Sequence, residues 1–258
     1  LDKEPETRKE KALSIAKSFG FKIEPVNINT SDRVWDISPS GETLIQPLRG
    51  IKGLGDAAID QILSNRPFES IEDFIFNDDI VYSKLNKKCL DVLIRSEALD
   101  NFIDHRFTGR KHFWSAVAVD RPRNRKKFNE NIEAYAPEGS FTFEQQINNI
   151  VSLTGRFPFE RIMGQEILDA LSRRHIPPIS EFDKDLLVCW AIPRSYKRKV
   201  TKKGKEYFEV EVTDSNSTMI KIRCWGINTK KGDKIVVNAP YIISPNYSPE
   251  WGFSTRGK

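Results

Sequence analysis

The apolar positions of this chain recur at helical spacing through most of its length and switch to alternation in the last third. Ala12, Leu13, Ile15, Ala16 and Phe19 mark a helical face within the charged residues 4–20, with Gly20 where a helix cap belongs. Phe21 to Asn29 alternates and contains Pro25, which predicts an edge strand, and a second extended piece spans 42–46 after the turn residues Ser38-Pro39-Ser40-Gly41. Helical spacing returns with Ala58, Ile59, Ile62 and Leu63. It recurs in a short helix carrying Ile71, Phe74 and Ile75, with Ser70 and Asp73 spaced as a cap, and over 84–99 with Leu85, Cys89, Leu90, Leu93 and Ile94. Residues 143–175 hold two further patterns split by Gly155-Arg156-Phe157-Pro158, the second with Ile162, Met163, Ile167, Leu168 and Leu171. Ile176-Pro177-Pro178 ends the helical region, so the main boundary falls between 176 and 185.

Beyond it the period is two. Leu186 to Ile192 is apolar, 206–212 and 218–225 alternate, and 234–237 and 241–243 follow. Five strand signals, with turns at Lys203-Gly204, Ser215-Asn216 and Lys231-Gly232-Asp233, predict a small antiparallel barrel. The OB-fold is the five-stranded barrel of this size, and an SH3-like barrel is the alternative.

The stretch Leu48 to Leu63 sets Gly53 and Gly55 around Leu54, directly before a helix. Glycine adopts backbone conformations that side chains forbid, and the first amides of a helix lack internal acceptors and sit at its positive end. The turn is therefore a candidate phosphate seat, with Lys52 beside it and Leu54 aimed at the core. A bare helix-to-helix connection is one reading. A dinucleotide fingerprint, with Glu72 or Asp73 as its acid, is a second, but it needs a buried strand upstream where Ile45-Gln46-Pro47 stands. The third, favoured here, is a helix-hairpin-helix whose amides at Gly53, Leu54 and Gly55 hold a phosphodiester without reading bases.

Composition changes this picture little. The 258 residues are 38% hydrophobic and 30% charged with net charge +5, so clustering of charge matters more than its sum. The longest apolar run, 186–192, is too short to span a membrane, and a cytoplasmic location is expected. Cys89, Cys189 and Cys224 and the histidines His105, His112 and His175 are scattered, against a disulfide framework or a metal site. Glu69, Glu72, Asp73, Asp78 and Asp79 read as a solvated, helix-capping face. Arg121, Arg123, Arg125, Lys126 and Lys127 read as an exposed loop or a phosphate-contacting linker. Between the first two barrel strands, residues 194–205 contain seven basic side chains and no acid: Arg194, Lys197, Arg198, Lys199, Lys202, Lys203 and Lys205. Such a hairpin borders the ligand face of an OB-fold, where aromatics such as Tyr196, Tyr207, Phe208 and Trp225 can stack on bases. Alternation assigns at least one of Phe208 and Trp225 to the core, which leaves Tyr196 as the preferred stacking residue.

The combination of segments carries a resemblance. Phe19 to Asp32, Gly50 to Ala58, Phe68 to Phe74, Asn86 to Asp100 and Leu153 to Pro158, followed by the barrel, resemble the distal part of the family C replicative DNA polymerases, the alpha subunit of bacterial polymerase III. The resemblance implies an end-of-fingers segment over 1–46, a helix-hairpin-helix DNA-binding domain with a helical linker over 47–180, and an OB-fold domain over 181–258. The fold class is then α+β and multidomain, a mainly helical helix-hairpin-helix region followed by a five-stranded antiparallel OB barrel. It further implies duplex primer-template at Lys52, Gly53, Leu54 and Gly55, and single-stranded template at Arg194, Tyr196, Lys197, Arg198, Lys199, Lys202, Lys203 and Lys205. The family's catalytic aspartates, with their Mg2+, lie in a palm region that has no counterpart in this sequence, so no catalytic or metal residue is assigned here and the palm is expected as a partner in cis or in trans. The opening Leu1-Asp2-Lys3-Glu4 fits an excised fragment or one polypeptide of a split enzyme. The family's glutamine-led clamp-binding peptide is not matched, since Glu144-Gln145-Gln146 lacks an aromatic end, as suits a viral or divergent relative. The alternatives are a free-standing DNA- or RNA-binding accessory protein of replication or repair, and an autonomous enzyme.

Overall fold

The computed structural model describes residues 12–13, 15–16, 19–183, 186–215, 219–227 and 234–256. The chain forms two compact units, Leu1–Phe157 and Pro158–Lys258.

The first unit is mainly helical. Ala12, Leu13, Ile15 and Ala16 are helical, and the rest of the helix expected before Phe19 lies outside the described residues. Three short strands follow, β1 (Lys22–Glu24), β2 (Asp36–Ile37) and β3 (Thr43–Ile45), with β3 in the middle, parallel to β1 and antiparallel to β2. The polar loop after β1 is held by its own amides. Asn29 donates from Nδ2 to the Phe68 carbonyl (2.8 Å) and accepts the Phe68 amide at Oδ1 (2.9 Å), while the Ile28 amide reaches the Ala98 carbonyl (3.0 Å). That clamp seats Ile28, fully buried, in the helical core.

The helices are α1 (Asp56–Asn65), α2 (Ile71–Ile75), α3 (Lys87–Arg95), α4 (Arg110–Trp114), α5 (Arg125–Tyr135) and α6 (Phe143–Thr154). Their ends follow capping chemistry. Ser70 Oγ accepts the Asp73 amide, Asn86 Oδ1 accepts the amides of Lys88 and Cys89, and Thr142 with Gln145 closes a reciprocal capping box. Leu48, Ile51, Leu54, Ile59, Ile62, Phe74, Leu90, Leu93, Phe113 and Phe128 share one core. His112, also fully buried, accepts the Thr108 amide at Nδ1 (3.0 Å), so its Nε2 carries the proton donated to the Ile132 carbonyl (2.8 Å). The basic run is not a loop throughout. Asn124 caps Lys127 and starts α5 at Arg125, and Arg121 turns inward, its guanidinium 3.7 Å from the Tyr82 ring centroid and donating to the Leu85 carbonyl.

The second unit contains α7 (Phe159–Ile162), α8 (Gln165–Arg173) and a strongly curled sheet that does not fully close. Its strands are β4 (Cys189–Val200), β5 (Glu206–Thr213), β6 (Ile220–Trp225), β7 (Tyr241–Ile243), β8 (Asn246–Ser248) and β9 (Gly252–Arg256), in the order β7-β4-β5-β6-β9-β8. All neighbours are antiparallel except β6 and β9. The two outermost strands are consecutive in sequence, parted only by Ser244-Pro245, so one stretch of chain lines both edges of the sheet. Cys189, Ala191, Phe208, Val210, Val212 and Ile222 fill the inner face with Ile179.

This differs from five antiparallel strands in three respects. Arg194 to Val200 belongs to β4, because the ladder to β5 continues from Ser195↔Glu211 to Val200↔Glu206; only 201–205 turn. Residues 234–237 form no strand, whereas β8 and β9, short, with Pro245 and Pro249 on either side of β8 and Gly252 opening β9, do pair. The parallel β6–β9 pair follows from a crossover that local alternation cannot announce. The expected turns at Ser215-Asn216 and Lys231-Gly232-Asp233 involve residues 216 and 231–233, outside the described residues.

Candidate nucleic-acid interface

A one-turn 3-10 segment, Leu48–Gly50, leads into residues 51–55 and then α1. Gly53 has φ +94°, and a Cβ there would lie 3.4 Å from Val92 Cγ1 and 3.9 Å from Lys88 Cε. The fold itself therefore requires glycine at 53. Gly55, the N-cap of α1, sits at φ −83° and ψ 159°, where any residue is at ease, and a Cβ there would meet nothing within 4 Å. Leu54 is buried and its amide donates to the Ile51 carbonyl (3.1 Å), while the Lys52 amide is taken by the Leu153 carbonyl (2.7 Å). The amides of Gly53 and Gly55 have no acceptor among the described residues and stand at the positive end of a ten-residue helix.

The charges around this turn are mixed. Lys52 is exposed, and Lys88, from the first turn of α3, packs its side chain toward Gly53. Asp56, the first residue of α1, binds Arg33 (3.1 Å) and Arg49 (3.4 Å), and Arg33 also pairs with Asp60. Arg33 and Lys88 are absent from the sequence reading, because nothing local signals that residues some twenty to forty positions away converge on one turn; Arg49, four residues before Gly53, lies within the stretch but has no role in that reading. Of the hairpin residues named from sequence, Lys52, Gly53, Leu54 and Gly55 are contiguous and adjoin one surface; Leu54 and the Lys52 amide are turned to internal partners.

The basic residues of β4 divide between two faces. Ser195, Lys197 and Lys199 pair in register with Glu211, Glu209 and Tyr207 on the outer face, and Tyr196 and Arg198 pair with Val210 and Phe208. Lys199 Nζ binds Glu209 (2.8 Å), and that carboxylate holds the Lys199 ammonium above, and is itself held below, the usual range. Arg198 pairs with Glu206. Lys202, Lys203 and Lys205 occupy the exposed turn, and Arg194 lies half-buried where the strand passes a bulge.

The aromatic residues separate as sharply. Phe208 is buried, and Tyr196, about half exposed, sets its ring edge to face against it at 5.8 Å. Tyr207 and Trp225 lie side by side on the outer face, centroids 4.9 Å apart and rings 32° from parallel, with Lys205 Nζ 4.9 Å from the Trp225 centroid. Register extends this row from Lys199 through Tyr207 and Trp225 to Arg256. One step along, the Arg223 guanidinium lies 5.1 Å from the ring centroid of Trp251, 59% exposed in the β8–β9 turn. Arg223, Trp251 and Arg256 are additions to the sequence reading. The spacing of Arg223 and Trp225, two apart on an alternating strand, places them on one face and is the signal that finds the first of them.

Burial pushes the Cys189 thiol up to about 12 and Cys224 up to about 11, so both stay protonated, and among the described residues no group of three His, Cys, Asp or Glu side chains converges on a metal position. What the two surfaces offer is free amides, cations and stacked rings, the means of holding a polyanion with unstacked bases.

A family model for the helix-hairpin-helix motif matches residues 20–109, the stretch that holds the glycine turn. The relatives that the chain resembles include DNA polymerase III alpha subunits. It is 30% identical over 118 residues to the DNA polymerase III subunit alpha of Chlamydia pneumoniae, covering 43% of this chain and 9% of that protein. The corresponding subunit of Bacillus subtilis is 33% identical over 96 residues (36% of this chain, 8% of that one), and that of Deinococcus radiodurans 34% over 94 (35% and 7%). The chain thus spans less than a tenth of the length of the curated relatives it matches. Among the described residues no helix is long and apolar enough to cross a membrane.

Proposed function

We propose that this chain is a DNA-binding distal portion of a family C-like replicative polymerase, holding duplex primer-template at the 51–55 turn and single-stranded template on the outer face of the curled sheet. The observation that carries it is Gly55. The backbone there would accept any residue, and a serine would cap α1 better than glycine does, so the missing side chain serves close approach by something outside the fold. The phosphate seat is made of the Gly53 and Gly55 amides with Lys52 and Lys88.

The curled sheet is read as an OB-fold, with β7 and β8 as two halves of one strand. That leaves five strands, the first and last closing through the divided one, and fits a class of barrel that is itself partly open. Its ligand face would then hold Tyr207, Trp225 and Trp251 as stacking platforms with Lys197, Lys202, Lys203, Lys205 and Arg256 tracking the backbone. The division into 1–46, 47–180 and 181–258 belongs to the same reading. Nucleotidyl transfer is assigned to a palm region as partner, in cis or in trans; the described residues supply no donor set for its Mg2+, and no step here runs through a metal.

A salt titration with a labelled primer-template carrying a single-stranded overhang tests this. Affinity should fall steeply between about 50 and about 200 mM salt. The combined Lys197→Ala, Lys202→Ala and Lys203→Ala variant should lower the slope on single strands by about 2, at roughly 0.7 per phosphate contact. Binding indifferent to salt, or unchanged in that variant and in Gly55→Ser alike, ends the proposal.

A further inference from the structure

The start of α5 carries a charge pattern that works against its own fold. Arg125 and Lys126 open the helix with Arg123 just before it, all three exposed and without an ion pair among the described residues. No acidic residue lies in the first turn, where the helix already presents its positive end, so these cations are placed unfavourably. Asp120 is engaged by Lys127 at 2.9 Å, and Glu130, one turn on, pairs with none of them. The amides of Arg125 and Lys126 have no acceptor among the described residues, because the Asn124 cap serves Lys127.

Beside this patch lies a hollow of about 300 Å3 lined by Ile75, Phe76, Tyr82, Pro122 and Arg123. Tyr82 is 54% exposed and is held from one side by the inward-turned Arg121. A ring fixed on one side, an apolar hollow and three unpaired cations within a few residues match one nucleotide step of a single strand, with phosphates on the cations and a base against the ring. We propose that Arg123, Arg125, Lys126 and Tyr82 form an additional single-strand contact in the helical unit, apart from both the glycine turn and the curled sheet. It rests on the reading that the chain binds nucleic acid.

The electrostatics give the test a signature. Replacing Arg123, Arg125 and Lys126 together by alanine removes like charges from a positive helix end, so the thermal midpoint stays equal or rises. Affinity for a labelled oligothymidylate of about 16 nucleotides should nevertheless fall at least about tenfold, with the salt slope lower by about 2. Tyr82→Ala should weaken binding about fivefold or more, while Tyr82→Phe, which keeps the ring and its packing, binds as the parent does. Unchanged affinity and slope in the triple variant, while Gly55→Ser still weakens duplex binding or the Lys197, Lys202 and Lys203 alanine variant still weakens oligothymidylate binding, overturns this contact and leaves the wider reading standing. If none of these variants changes binding, both fall.

Discussion

Gly53 and Gly55 stand one residue apart, look equivalent in the sequence, and answer to different demands in the structure. Gly53→Ala forces a side chain into the left-handed region and against Val92, and should cost about 1–2 kcal/mol in denaturant unfolding. Gly55→Ser should leave stability level or raise it by a few tenths of a kcal/mol, since the new hydroxyl caps α1. The same side chain then stands where a phosphodiester would approach the Gly53 and Gly55 amides, so duplex binding should drop; equal affinity in the two proteins removes Gly55 from the interface. Asp56 is a carboxylate of the protein's own at the edge of the phosphate seat, keeping Arg33 and Arg49 engaged. Asp56→Asn should tighten duplex binding about two- to fivefold, read by fluorescence anisotropy at low salt, the scale of one charge at a helix end. The glycine pair and Lys52 were legible in the sequence because they are contiguous. Which glycine the fold needs, and the convergence of Arg33 and Lys88, depend on backbone angles and on long-range packing that spacing does not encode.

At the scale of elements, Arg106 joins α2 to the segment before α4. It binds Glu72 and Asp104 together and lies over the rings of Phe107 and Phe128 at 5.8 and 5.7 Å. The hydrogen bonds from Arg106 hold both carboxyls below the usual range, outweighing the opposing effect of burial. A folded-state value depressed below the unfolded one contributes stability that is complete above the unfolded carboxylate range near pH 4 and is lost as pH falls through the lowered one. Thermal midpoints measured from about pH 6 down to about pH 3 should fall in the parent, and the fall should be shallower in Glu72→Gln, where one of the two titrations is gone. Arg106→Lys should destabilise, because an ammonium cannot reproduce the forked pairing and the ring contacts at once. Helical elements were readable where the cap was visible, as with Ser70 before α2, whereas the Asn124 cap that starts α5 lay in a basic run that reads as a loop. The strands were less so. Charged side chains on both faces of β4 hid its continuation past Arg194, and the run 234–237 has strand composition but no partner that makes it one. Phe208 and Trp225 separate only once register sets Phe208 opposite Cys224 and Tyr207 opposite Trp225. Phe208→Ala should therefore cost about 3–5 kcal/mol as a core deletion, whereas Trp225→Ala should act on binding first.

For the whole chain, the order of a helical unit and a curled sheet was legible, because the period of the apolar pattern changes between them. Which strands are neighbours was not, since the parallel β6–β9 pair and the two-edge role of 241–248 are properties of the closed path of the chain. If the two units hold different parts of one DNA, their contributions separate by substrate. Blunt duplex should be sensitive to Gly55→Ser and nearly indifferent to the pair Tyr207→Ala and Trp225→Ala. An oligothymidylate should show the reverse, losing about 1–3 kcal/mol per stacked base in the aromatic variant. A primer-template with an overhang engages both, and linkage makes the second contact intramolecular, so it should bind more tightly than either simple substrate, and either change should cost there no more than on the simple substrate it governs, since the intact unit still holds the DNA. Combined, the two changes should lose at least the sum of their separate effects there, because each single variant is still held by its intact unit and the double variant by neither. Affinity for the joined substrate no higher than for the simple ones would mean that the units bind without sharing a DNA molecule.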